Sequence, residues 1–350
     1  MCSKEEDARV VLQRVPVSEP VPSVDLGVWR TPVERAPRLA ERIGLRPDDL
    51  WVKRDDWLGL GGGGNKLRKL EFLCAHALEQ GATVLVTGGA AQSNYCRLTA
   101  ASARRLDLGV VLVLTGDGPT GATGNLALDG LFQADVRWVG DVAGSALGEL
   151  VAAVADELRA RGERPAILPF GGSNALAARG YRACAAELEE QAPGAEHVVV
   201  AVGSGATMAG LVAVLGAGRV LGVDSGAVSD APARVAAMVE ELSSVGLARA
   251  PADATLRLDR GQIGPGYEKL TDQARRALDD AASCEGLVLD PVYTAKALAG
   301  LAAAVERNEI RPGERTVFVH TGGLPGLFGH ALASELAART GRCGEPARFG

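Results

Sequence analysis

Lys66 stands after the run Gly61-Gly62-Gly63-Gly64-Asn65. It opens a helical pattern carried by Leu70, Phe72, Leu73, Ala77 and Leu78 that stops near Gly81. Four glycines in a row lose too much backbone entropy to sit idle in a helix or strand, so they mark a sharp turn or a close approach to the main chain. A lysine at a helix N-terminus lies by the positive end of the peptide dipoles, which disfavours its ammonium form. A neutral amine there is suited to attack on a carbonyl. Alone, the stretch also reads as a flexible loop before a solvated surface helix, and the rest of the chain must decide between the two.

Further candidates follow short apolar runs. After Ala82–Thr87 comes Gly88-Gly89-Ala90-Ala91-Gln92-Ser93-Asn94-Tyr95. Ser93 suits an N-cap, and the N–H groups beside it suit a carboxylate or phosphate, although capping alone would explain Ser93 equally well. After Val198–Val202 comes Gly203-Ser204-Gly205-Ala206-Thr207, small residues and hydroxyls that can cradle a phosphate at a helix start. A dinucleotide-dependent oxidoreductase would use this turn together with Asp224, but the spacing is G-x-G-x-x-x-x-G and Lys66 would go unexplained. Tyr267, in Gly264-Pro265-Gly266-Tyr267, and Tyr293, in Asp290-Pro291-Val292-Tyr293, are two of only four tyrosines. His320-Thr321-Gly322-Gly323 follows the last apolar strand. An amine, an anion pocket, a phosphate cradle and two phenols together suit pyridoxal 5′-phosphate acting on a small amino acid.

Positioning these groups at strand ends requires parallel sheets. Apolar runs at Val110–Leu114, Val136–Val139, Ala166–Phe170, His197–Val202, Val220–Asp224, Gly286–Leu289 and Thr316–Val319 alternate with helical patterns, which predicts right-handed crossovers. Near-continuous apolar strands mean sheets covered by helices on both faces. The expected class is α/β, with two domains built on parallel-rich sheets. Residues 1–50, with Pro16, Pro20, Pro22, Pro32 and Pro37, read as an irregular arm, and 246–266 as an irregular piece.

A net charge of −6 argues against nucleic acid as a partner, and no apolar run is long enough for a membrane span. The acidic N-terminus lacks a signal-peptide core, so a cytoplasmic setting is expected. Six scattered cysteines without C-x-x-C suit free thiols, and four histidines without ligand spacing predict no metal site.

In order along the chain, Gly63-Gly64-Asn65-Lys66-Leu67-Arg68-Lys69-Leu70-Glu71, Gln92-Ser93-Asn94, Gly264-Pro265-Gly266-Tyr267, Asp290-Pro291-Val292-Tyr293 and His320-Thr321-Gly322-Gly323 resemble the D-cysteine desulfhydrase and 1-aminocyclopropane-1-carboxylate deaminase family. These are fold-type-II (tryptophan-synthase-β-like) pyridoxal-phosphate enzymes, and the resemblance runs from about Pro22 to Gly329. It implies that Lys66 holds the cofactor covalently. Lys69 and the loop Gly203, Ser204, Gly205, Ala206 and Thr207 would hold its phosphate. Ser93, Asn94 and the next N–H would bind the substrate carboxylate, with Asn94 also near the cofactor's phenolic oxygen. Tyr267 and Tyr293 would be the active-site tyrosines. It also implies a homodimer, with a small domain at 69–172 inserted into a large one formed by 1–68 and 173–350.

The family's deaminases carry Glu after Asp-Pro-Val-Tyr and Leu between His and Gly-Gly; here Thr294 and Thr321 stand at those places, as in the desulfhydrases. A carboxylate by the pyridine nitrogen would strengthen the electron sink, whereas a threonine is adequate when a good β-substituent leaves. β-Elimination from D-cysteine is the favoured reading. The cyclopropane deaminase or a specialised lyase for a substrate such as cysteate are the alternatives. Tyr95 stands where relatives usually have His or Gln, a place to reshape the substrate space, and Gly61 and Gly62 replace bulkier residues. Glu268-Lys269-Leu270 replaces a small turn, and Ala295 a glycine.

Overall fold

The computed structural model describes residues 10–12, 22–118, 123–142, 144–249 and 255–339. Two sheets organise them. The larger has the strand order Arg257–Asp259, Val220–Asp224, His197–Val202, Thr316–Val319, Leu50–Lys53, Val33–Arg35. All neighbours run parallel except the edge strand Val33–Arg35, which pairs antiparallel with Leu50–Lys53. The smaller sheet is wholly parallel, in the order Asp135–Trp138, Gly109–Thr115, Val84–Ala90, Pro165–Ile167. Val10–Leu12 and Pro22–Val24 form a separate antiparallel pair.

The two-residue period of a strand puts both faces of each sheet to use. In the larger sheet Val199, Val223 and Phe318 join one core with helices Pro37–Arg42, Asp272–Glu285 and Thr294–Glu306. Val198, Val200, Val317 and Val319 join the other, with helices Ala175–Gln191, Ala206–Leu215 and Ala231–Ser244. In the smaller sheet Leu85, Leu112 and Leu114 pack with helices Lys66–Glu79 and Asn94–Arg105, and Val84, Val86, Val111 and Val113 with Ser145–Ala160. The expected doubly covered α/β architecture is what forms.

Three local expectations give way. The arm before residue 50 contains three strands and a helix: Pro32 precedes its edge strand and Pro37 occupies the first turn of its helix, where no N–H is needed. The irregular piece contributes the edge strand Arg257–Asp259. Gly286–Leu289 pairs with none of the described strands: Leu287 and Leu289 enter the large-sheet core, and the Val288 carbonyl sits 3.1 Å from the His320 ring nitrogen Nε2. Two short helices, Leu324–Phe328 and Leu332–Ala338, follow the last strand.

Candidate active site

Helix Lys66–Glu79 begins where the glycine run ends, and its first turn is pinned from behind. Arg68 donates to Asp55 through Nε and Nη2 at 2.8 and 2.9 Å and to Glu187 through Nη1 at 2.9 Å, with Trp29 stacked 4.5 Å from the guanidinium. Burial alone would raise Asp55, but Arg68 beside it holds the carboxyl below its usual range. Lys53 shares Glu187 at 2.5 Å. A fork with this many partners fixes the helix axis, so Lys66 and Lys69, one turn apart, project into the cleft from a rigid base.

Burial pushes the Lys66 amine down to about 8, opposed by a hydrogen bond with Lys69. Lys69 is 1% exposed, and burial and the Lys66 charge drive its amine well below the usual lysine range. Among the described residues neither amine has a carboxylate partner. Two amines sequestered together without a counter-charge make a site for an anion and a reactive nitrogen.

Facing them, the turn Gly203–Thr207 joins strand His197–Val202 to helix Ala206–Leu215. Ser173 Oγ donates to Ser204 Oγ at 2.6 Å and accepts from the Ala206 N–H at 3.4 Å, fixing the turn. Asn65 Nδ2 donates to Thr207 Oγ1 at 3.2 Å, and the Asn65 N–H to the Thr321 carbonyl at 3.0 Å. Arg97 threads the glycine run, donating to the Gly61 and Gly63 carbonyls at 2.6 and 2.9 Å. Gly61 through Gly64 all have positive φ, and a Cβ on Gly61 would lie 2.5 Å from that of Ala101. The extra glycines thus permit a tight pass against helix Asn94–Arg105 and around Arg97, which accounts for their presence without invoking a roomier substrate space.

The Tyr267 and Tyr293 hydroxyls share a short hydrogen bond, with ring centroids 5.8 Å apart in an edge-on arrangement. Burial raises both phenols, so they stay protonated at neutral pH. The Tyr293 ring lies against Gly203, where a Cβ would come within 3.2 Å of it. Asp290 organises this corner: its carboxylate accepts from the N–H groups of Val292, Tyr293 and Thr294 at 2.8–2.9 Å. Thr294 Oγ1 donates to Asp290 Oδ1 at 2.7 Å. Thr294 is fully buried behind the cleft rather than in its lining, whereas Thr321 lines it.

Ser93 caps helix Asn94–Arg105, its Oγ accepting from the Cys96 N–H at 3.2 Å. Asn94 lines the cleft, with Oδ1 held by Asn125 at 3.0 Å and Arg97 at 3.3 Å. Tyr95 does not reach the cleft. Its ring is 2% exposed in the small-sheet core against Gly172, whose added Cβ would lie 2.6 Å away, so reshaping of substrate space by Tyr95 finds no support here. Leu270 likewise turns into the large-sheet core, and the Lys269 N–H closes on the Gly266 carbonyl at 3.2 Å.

A narrow cleft collects Asn65, Lys66, Lys69 and Asn94 with Gly203, Ser204, Gly205, Thr207, Tyr293 and Thr321. Ser93, Ala206 and Tyr267 stand just outside this lining. Sequence reasoning gave no role to Asn65, Asp290 or Gly322, which also line it. Asn65 and Gly322 adjoin Lys66 and Thr321 in sequence, and Asp290 opens the Asp-Pro-Val-Tyr run that carries Tyr293. Asp224, the acid of the dinucleotide alternative, is buried and accepts from the Gly226 N–H at 2.8 Å. The described residues hold no His/Cys/Asp/Glu cluster fit for a metal.

A group with a phosphate and an aldehyde fits these residues: Lys69 lacks a counter-charge, the Gly203–Thr207 turn opens a helix, and Lys66 is partly neutral. The model of the family described as "Pyridoxal-phosphate dependent enzyme" matches residues 24–322. The chain is 39% identical over 322 residues to a D-cysteine desulfhydrase of Klebsiella pneumoniae (88% of this chain, 96% of that one). It is 38% identical over 323 residues to a putative 1-aminocyclopropane-1-carboxylate deaminase of Pyrococcus abyssi (88% and 93%). A solved ACC deaminase homologue superposes with a TM-score of 0.81 at 32% identity, covering 91% of this chain and 96% of that one. The chain therefore belongs to the pyridoxal-phosphate-dependent enzymes, in the D-cysteine desulfhydrase and 1-aminocyclopropane-1-carboxylate deaminase family. Its cofactor is pyridoxal 5′-phosphate.

Proposed function

We propose that this enzyme is a carbon–sulfur lyase that converts D-cysteine to pyruvate, ammonia and sulfide by β-elimination. The observation that carries the reading is that Lys66, its amine lowered to about 8, shares one cleft with Tyr293, whose hydroxyl bonds that of Tyr267. When bound, pyridoxal phosphate withdraws electrons from the substrate Cα and acidifies its proton. Lys69 and the Gly203–Thr207 turn would hold the phosphate, and Lys66 would hold the cofactor's aldehyde carbon. Freed Lys66, with a basicity near working pH, takes the Cα proton. The N-terminus of helix Asn94–Arg105, with Ser93 and Asn94, binds the substrate carboxylate. The Tyr267–Tyr293 pair, acting as an acid, gives a proton to the departing sulfur.

The 39% identical D-cysteine desulfhydrase and the threonine at 321 support this substrate over the cyclopropane ring. In this reading Thr294 acts through Asp290, to which its hydroxyl donates, rather than on the cofactor ring. The reading also divides the chain into a large domain of 1–68 and 173–350 and a small one of 69–172. It places the enzyme in the cytoplasm as a homodimer, in which exposed Leu324 and Phe328 would be covered; none of the described helices is long and apolar enough to cross a membrane.

The test is pyruvate release by purified holoenzyme from D-cysteine, L-cysteine, cysteate and 1-aminocyclopropane-1-carboxylate, the last assayed as its 2-oxobutyrate product. Turnover is expected to be fastest with D-cysteine and lost in Lys66→Ala along with the visible absorbance of the lysine-bound cofactor. Preference for cysteate or the cyclopropane substrate would replace the reading.

A further inference from the structure

Lys296 lies in the first turn of helix Thr294–Glu306, fully buried and outside the cleft lining. Its Nζ donates to four backbone carbonyls: Ser225 at 3.2 Å, Ile263 at 3.0 Å, Gly266 at 3.0 Å and Tyr267 at 3.1 Å. An ammonium has three protons, so at least one of them is shared between two carbonyls, and four oxygens converging on one centre is also an arrangement that suits a bound monovalent cation. Carbonyl rings of this kind replace the hydration shell of a monovalent ion. Three of the four oxygens come from the segment between strand Arg257–Asp259 and helix Asp272–Glu285, which has no regular structure of its own.

The consequence concerns Tyr267. Tyr293 and Lys296 lie three residues apart at one helix end and grip the same neighbour at two points. Tyr293 meets the Tyr267 hydroxyl, and Lys296 takes the Tyr267 carbonyl. Without a cation, four carbonyls pointed at one another repel and the segment must open, carrying the Tyr267 hydroxyl away from Tyr293.

We infer that Lys296 is a positioning residue whose ammonium stands where a bound monovalent cation otherwise would, and that it sets Tyr267 against Tyr293. The inference rests on the β-elimination reading only for the role of Tyr267; the carbonyl cage itself does not depend on it. It follows that the wild-type enzyme is indifferent to whether sodium, potassium or choline is the buffer cation, because the cage is filled from within.

The test uses wild-type and Lys296→Ala holoenzyme in choline chloride, with and without propylammonium or potassium. Two readouts are taken: hydrogen exchange of the peptide spanning 263–269, and kcat and KM for pyruvate release. In choline, Lys296→Ala should exchange this segment faster and lose about 10²-fold in kcat, the size expected for a displaced catalytic group, with KM little changed. Propylammonium or potassium should restore both readouts and choline neither. Wild-type exchange and kcat in the variant, or a loss of both that no small cation reverses, overturns the inference. If Lys296→Ala does not fold, Lys296→Arg carries the test. A planar guanidinium cannot take four converging carbonyls, so wild-type exchange and kcat in that variant would overturn it too. If the wild-type holoenzyme releases no pyruvate, the β-elimination reading fails while the exchange measurement still decides the cage.

Discussion

Asn65 Nδ2 donates to Thr207 Oγ1 across 3.2 Å, joining the residue before Lys66 to the first turn of the helix that opens at the phosphate cradle. The Asn65 N–H reaches the Thr321 carbonyl at 3.0 Å, so one residue ties together three parts of the cleft. Replacing it by Ala loses the side-chain bond and keeps the backbone one. A neutral bond contributes about 1 kcal/mol, so Asn65→Ala should weaken pyridoxal-phosphate affinity about fivefold while thermal stability changes little. Fluorescence titration of apo-enzyme measures it, and unchanged affinity would remove Asn65 from the site.

The depressed Lys66 amine makes apo-enzyme stability depend on pH in a stated direction. The folded chain releases this proton at about 8, whereas an unfolded lysine keeps it to about 10.4. Between these values the unfolded state binds more protons, so stability rises with pH. Below about 8 both states are protonated and the full penalty applies, at most about 3 kcal/mol and less because Lys66 faces the cleft. Lys66→Met removes the charge at similar volume. Apo Lys66→Met should therefore melt higher than apo wild type at pH 7, with the gap closing as pH rises through 8 to 10. A constant gap would mean that burial does not shift this amine.

Much of this architecture was legible because buried parallel strands are almost uninterrupted apolar runs. His197–Val202, Val220–Asp224 and Thr316–Val319 form at the predicted residues. Val33–Arg35 was not legible: an edge strand with Glu34 and Arg35 exposes its side chains and shows no apolar run. Gly286–Leu289 has the right composition, but strand formation needs a free sheet edge, which no local pattern reports. Lys66 stood out through its glycines. Lys296 did not, since a lysine in a helix is usually solvated and only the fold brings four carbonyls to it. The direction of the Thr294 hydroxyl was equally invisible, because the motif shows that it neighbours Asp290 in sequence but not that it bonds to it.

Gly61 offers a test of the close pass between the glycine run and the small-sheet helix. Its φ is +59°, and an added Cβ would lie 2.5 Å from the Ala101 Cβ and 3.2 Å from Leu98. Both the left-handed backbone and the overlap oppose a side chain. Gly61→Ala should lose roughly 1–3 kcal/mol of stability, with the urea midpoint falling and the slope unchanged. The double variant Gly61→Ala, Ala101→Gly should recover the part due to overlap and not the part due to φ. Wild-type stability in Gly61→Ala would mean that the two segments do not touch.

Thr294 separates two tasks for the residue after Asp-Pro-Val-Tyr. A partner of the cofactor ring would leave protein stability alone when altered and change the bound cofactor's spectrum. The geometry favours the other task. Thr294 Oγ1 donates to Asp290 Oδ1 at 2.7 Å and also accepts from the Asp290 N–H at 2.7 Å, closing the turn that carries Tyr293. Burial raises the Asp290 carboxyl, and the hydrogen bonds from Thr294, Tyr293 and Val292 oppose it, so removing the hydroxyl takes away part of what keeps that carboxylate charged. Thr294→Val keeps the shape and deletes both bonds, leaving a buried carboxylate short of a donor. The expected cost is about 1–3 kcal/mol of stability. The loss should be larger at pH 8 than at pH 5, because protonation at low pH relieves a carboxylate that has lost a donor. Cofactor absorbance should stay at its wild-type position, while kcat falls because Tyr293 is less well held. A shifted cofactor spectrum with unchanged stability would instead return Thr294 to the cofactor's side.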